Sequence, residues 1–132
     1  MNETLKQIEQ FHGHLGPYAV IGFKMGLVAN KMLSSDPFSK KAVVWTGKNP
    51  PLSCIVDGIQ ISSGCTFGKG NIQVKNEGIA KADFSTNDGK QLQIILKPNI
   101  RKEIDTRVTE KNMISYSEKI FKKSNEELFE II

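Results

Sequence analysis

The chain has 132 residues, 39% of them apolar and 24% charged, with a formal net charge of +4, a balance that fits one soluble globular domain with a real core. Sixteen lysines outnumber two arginines and are scattered without interleaved aromatics, which argues against a nucleic-acid reader, where arginine dominates phosphate and base contacts. The start carries no apolar h-region and no run reaches membrane-spanning length, so neither a secretion signal nor a membrane span is expected.

Residues 3–10 read as a short helix with Leu5 and Ile8 on one side. The segment Phe11-His12-Gly13-His14-Leu15-Gly16-Pro17 follows and opens an apolar run to Leu33. Pro17 suits the first turn of a helix, where its missing N–H is no loss. Only Lys24, Asn30 and Lys31 are strongly polar in that run, which predicts a buried central helix. Gly22 and Gly26 lower helix propensity four residues apart and predict a close neighbour on that face. Ser34 to Pro37 ends the helix.

Lys41 to Thr46 reads as a strand, and Gly47 to Pro51 as a break with Asn49 as N-cap of a second helix from about Leu52 to Ile61. Gly64-Cys65-Thr66-Phe67-Gly68-Lys69-Gly70 is a glycine-rich loop. Strands are expected at 71–75, 79–85 and 91–96, separated by the turn sequences Asn76–Gly78 and Asn87–Gly89. Their alternation predicts an antiparallel meander with one buried face. Helices are expected at 99–108 and 110–123. A capping box at Ser124 and Glu127 then starts a last short helix carrying Leu128, Phe129, Ile131 and Ile132, an apolar tail that should dock on the core or on a second subunit. No repeat or linker interrupts the chain, so residues 1–132 form a single α+β domain, with about four strands in a mixed or antiparallel sheet packed by helices.

Both histidines, His12 and His14, lie two residues apart at the mouth of the most buried helix. In an extended or turn backbone they point to the same side and suit one ion; the alternative is a pair of satisfied structural histidines. Cys54 falls in the first turn of the second helix, where the helix dipole favours thiolate. Asp57, one turn on, opposes that alone but supports a bound cation as oxygen ligand or as partner of a ligand. A small buried core residue is the bland reading of Cys54. Cys65 stands in the glycine-rich loop, ten residues beyond, which is not a zinc-knuckle spacing. The loop is no Walker A motif, since Gly64 to Gly68 is one residue short and Gly70 stands where Ser or Thr is needed. It remains either an anion cradle with Lys69 as point charge or a plain crossover. Two histidines and two cysteines match one tetrahedral N₂S₂ site in number. The expectation is one divalent transition ion, first of all zinc, on His14 and Cys54, with His12 and Cys65 joining them. Two cysteines without a secretion signal point to the reducing cytoplasm.

The segments Phe11–Pro17, Cys54–Gln60 and Gly64–Asn71 together resemble the core domain of the E subunit of formylmethanofuran dehydrogenase and its relatives, over roughly residues 6–110. The resemblance implies an α+β core and a tightly associated, intertwined homodimer. It points to His12, His14, Cys54, Asp57, Gln60, Cys65, Thr66 and Lys69 as one site cluster. In that cluster Cys54, His14 and Lys69 are the expected chemical residues, and Asp57, Gln60 and Thr66 the expected contacts to a bound group. Longer relatives carry a cysteine-rich zinc finger after the core; with no cysteine after Cys65, this chain is expected to lack it. The parent enzyme is a tungsten or molybdenum enzyme that fixes carbon dioxide onto methanofuran, but sharing a core does not by itself transfer an activity. Two classes of function follow. One is a metal-dependent enzyme or subunit, a candidate partner of other redox subunits, in one-carbon or molybdopterin-related metabolism. The other is a non-catalytic metal-binding accessory, carrier or sensor.

Overall fold

The computed structural model describes Met1–Ile132 throughout. The elements are α1 (Glu3–His12), α2 (Pro17–Met32), β1 (Lys40–Val44), α3 (Cys54–Ser63), β2 (Ile72–Val74), β3 (Lys81–Thr86), β4 (Gln91–Leu96), α4 (Pro98–Arg107), α5 (Met113–Lys122), α6 (Asn125–Leu128) and β5 (Phe129–Ile131). The strands make one mixed five-stranded sheet in the order β2-β1-β3-β4-β5, an α+β fold. No helix is long and apolar enough to cross a membrane.

Helix α2 is the centre. Its apolar run buries Tyr18, Ala19, Val20, Ile21, Met25 and Ala29, as a helix without a polar face requires. Its broadest helix contact is with α3. A Cβ on Gly22 would land on the Ile55 carbonyl, and one on Gly58 would land on the Ala19 carbonyl. The glycines thus let the two backbones touch, which is the close neighbour their spacing predicts. On the sheet, Ala42, Val44, Ala82, Phe84, Leu92, Ile94 and Leu96 are buried, alternating with more exposed residues of the other face.

Three expectations are corrected. The strands after α3 do not form a three-stranded meander. β2 pairs parallel with β1, and only β3 and β4 form the antiparallel hairpin. Placing α3 between β1 and β2 makes a crossover unit, which favours parallel pairing. Asn49 is not the N-cap of α3. The prolines at 50 and 51 occupy a turn, and the helix starts only at Cys54 after Ser53, which makes no side-chain cap bond. The tail is also not a helix to its end. The capping box at Ser124 and Glu127 forms, but α6 stops at Leu128 and β5 adds to the free edge of β4. There the backbone of Phe129–Ile131 finds ladder partners that a one-turn helix lacks. Leu128 and Phe129 are buried, Ile131 is half-buried and Ile132 is exposed, so only the first part of the tail docks on this chain's core.

Candidate functional site

The histidine segment owes its geometry to a helix end. α1 runs to His12, two residues beyond its expected end, and Gly13 closes it in the left-handed region (φ +102°), its N–H donating to the Glu9 carbonyl. That reversal, and not an extended backbone, brings the two imidazoles together, with ring centroids 4.9 Å apart and planes tilted by 37°. The His14 ring lies over Gly16, where a Cβ would come within 3.2 Å of it.

α3 delivers the next two groups. Asp57 Oδ2 lies 2.6 Å from His12 Nδ1. A carboxylate only accepts, so Nδ1 carries the hydrogen, and the neutral form of the ring has its lone pair on Nε2. Cys54 lines the same cavity as the two histidines. Its thiol is pushed up from the ordinary thiol value, first by burial and then by the Asp57 charge. Desolvation thus outweighs the helix-start effect expected from the sequence.

The cavity holds ≈ 290 Å³, at the small end of ligand pockets, which span about 300–1,000 Å³. Pro17, Pro50, Pro51, Ile104, Val108 and Met113 supply much of its wall, and no lysine or arginine lines it. Tyr18 and Asp105 complete the polar rim. The buried Tyr18 hydroxyl donates to Asp105 Oδ1 at 2.5 Å. Burial, aided by Asp105, pushes its pKa well above the usual tyrosine value, so the hydroxyl stays a donor. Neither residue is marked by any local pattern. They meet across 87 positions, and only the docking of α4 beside α2 reveals them.

Of the other four expected residues, Gln60 lies about 9 Å along α3 from Cys54 by helix rise, and Cys65, Thr66 and Lys69 lie beyond the far end of the helix, about 14 Å or more along the axis. Gln60 Oε1 accepts from the Phe67 N–H at 3.1 Å, and Thr66 Oγ1 accepts from both the backbone N–H and Nζ of Lys69. Cys65 is fully buried, its N–H bound to Ser63 Oγ. Its thiol is also raised by burial, against the pull of Ser63, Lys40 and Lys69. The Thr66 N–H goes to Asn71 Oδ1 and that of Gly70 to the Thr66 carbonyl. Almost every loop N–H is therefore used internally, which removes the anion-cradle reading. A four-ligand set of both histidines and both cysteines is not gathered in one chain. Nor do three His, Cys, Asp or Glu side chains form a ready ligand cluster.

The FmdE family, described as "FmdE, Molybdenum formylmethanofuran dehydrogenase operon", matches residues 11–131. The fold is similar to the crystal structure of a tungsten formylmethanofuran dehydrogenase FmdE-like protein from Syntrophus aciditrophicus. The TM-score is 0.69 at 22% identity, covering 98% of this chain and 69% of that one. A curated Archaeoglobus fulgidus protein, described as a probable S-adenosyl-L-methionine-binding protein, is 26% identical over 77 residues. The match covers 54% of this chain and only 20% of that relative's length. With the histidine turn, α3 and the glycine-rich loop all inside the matched residues, the chain belongs to the FmdE family.

Proposed function

We propose that the cavity at the start of α3 is a metal-dependent ligand site serving a formylmethanofuran dehydrogenase-related role, as an enzyme or a subunit of a redox complex in one-carbon metabolism. The observation that carries it is His12 held by Asp57 at 2.6 Å beside His14, with Cys54 on the same cavity. The donor chemistry fits a borderline ion, zinc first, and a carboxylate behind an imidazole is the usual way to orient a ligating histidine. His14 and Cys54 are the proposed ligands, with His12 as the third. Cys65 is left out because it is buried at the other end of α3. When bound, such an ion supplies the positive charge that turns Cys54 into thiolate.

The adjoining cavity favours a site with an open position over a closed structural one. A non-catalytic carrier or accessory module is the second reading, favoured by the absence from the cavity of the chain's own Lys69. Metal content per chain of untagged protein tests the site. The expected result is about one zinc in the parent and a strong loss in His14→Ala and Cys54→Ser. Full occupancy in both variants, or none in the parent after zinc refolding, overturns it.

A further inference from the structure

We infer that Tyr18 is a positioning residue of the site. Through its hydrogen bond to Asp105 it holds α4 as a movable wall, and release of that bond joins the cavity to a second one beside it. The inference rests on the cavity being the functional site, but not on any metal in it.

The second cavity holds ≈ 430 Å³ and shares Tyr18, Pro50, Pro51 and Asp105 with the first. Those residues form a partition, and the hydrogen bond that closes it runs from the Tyr18 hydroxyl to Asp105 Oδ1. The two sides differ in chemistry. Imidazoles and a thiol line the first cavity, whereas Thr46, Asn49, Asn76 and Arg101 line the second. Alone, the first is at the small end of ligand pockets; joined, the two fall inside the usual range of about 300–1,000 Å³.

The walls are not held alike. α2 and α3 are locked where Gly22 and Gly58 let their backbones touch. α4 is the opposite case. Five of its ten residues are charged, and only Ile100 and Ile104 are buried. A segment with so few buried apolar contacts opens before the rest of a fold. Two tyrosines tie it instead, Tyr18 of α2 donating to Asp105 at 2.5 Å and Tyr116 of α5 to Glu103. Asp105 and Glu103 are two positions apart, about 200° around the helix, so the ties grip different faces. The Tyr116 bond fastens α4 to the helix that follows it, and the Tyr18 bond fastens it to the helix that carries the cavity. Arg101 lies 3.9 Å from Asp105 on α4 itself, so that ion pair moves with the helix. The guanidinium also donates to the exposed Gly78 carbonyl, which water can replace as partner. Breaking the Tyr18 bond therefore frees the cavity side of α4.

Thiol labelling of metal-free protein tests this. The rate at which N-phenylmaleimide modifies Cys54, located by peptide mass, should rise about 10-fold or more in Tyr18→Phe. Tyr116→Phe cuts the other tyrosine bond of the same helix and should leave that rate near the parental one. Asp105→Ala should match Tyr18→Phe, and combining them should add nothing, as the two ends of one bond require. In hydrogen exchange, the α4 amides of the parent should exchange before those of α2 and α3, and Tyr18→Phe should speed α4 alone. An unchanged Cys54 rate in Tyr18→Phe, equal acceleration by Tyr116→Phe, additive effects in the double variant, or an α4 as protected as α3 overturns the inference. Every measurement is made with chelator present. Zinc binding can therefore fail while the wall moves, and the reverse, so the two readings are separately decided.

Discussion

The two ends of α3 carry the two halves of one sequence signature and treat their polar groups in opposite ways. At the start, two imidazoles, a thiol and a carboxylate surround a cavity, and His12 is oriented but keeps one nitrogen free. At the end, Gln60, Thr66, Ser63 and Asn71 spend their oxygens on the loop's own N–H groups. One end is arranged to bind and the other to hold a shape. Residue type alone does not separate the two, because both ends contain a cysteine and flexible polar side chains.

The largest effect should come from a change that destroys what both ends share. Gly58→Val drives a side chain into the Ala19 carbonyl and should lower stability by about 3 kcal/mol, read as a denaturant midpoint, with zinc uptake and loop order lost together. Asn71→Ala acts on the loop end only. It strips an acceptor from Thr66 and donors from the Pro37 and Lys40 carbonyls, a loss of about 2 kcal/mol. Zinc affinity at the cavity should stay as in the parent.

Asp57→Asn is the complementary change at the cavity end. It should leave the denaturant midpoint nearly unmoved and weaken zinc binding by about 10–100-fold, measured by competition with a chelating dye. The smallest effect is on thiol reactivity. Burial and Asp57 raise the Cys54 pKa, so its alkylation by iodoacetamide should titrate above a free thiol, and Asp57→Asn should bring it partway down. Stability responds with the same sign. The fold favours the protonated thiol, so its contribution is complete below the ordinary thiol pKa and is lost as pH rises through the raised one. Cys65, fully buried, should react only on unfolding.

Element existence was readable because hydrophobic periodicity is local. The run from Pro17, the alternation in 91–96 and the capping box at Ser124 each specify a conformation from neighbouring residues alone. The apolar character of Phe129 and Ile131 likewise required that the tail be covered, and Phe129 is buried. Its conversion to β5 needed the free edge of β4, a partner more than 30 positions away in the chain.

The candidate site divides along the same line. His12, His14, Cys54 and Asp57 could be named from the sequence, since a helix end, a glycine and a helix start bring out their chemistry locally. Tyr18 with Asp105, the proline and α4 walls, and the parallel place of β2 beside β1 arise only when distant segments pack. So does the distance between the two cysteines. Local patterns were enough to specify a buried glycine-bearing helix, the ligand-type residues at its mouth and an apolar tail in need of cover. Packing settled which of those residues share a cavity, because α3 is a rigid rod and its length keeps Cys65 and Lys69 from the site that Cys54 enters.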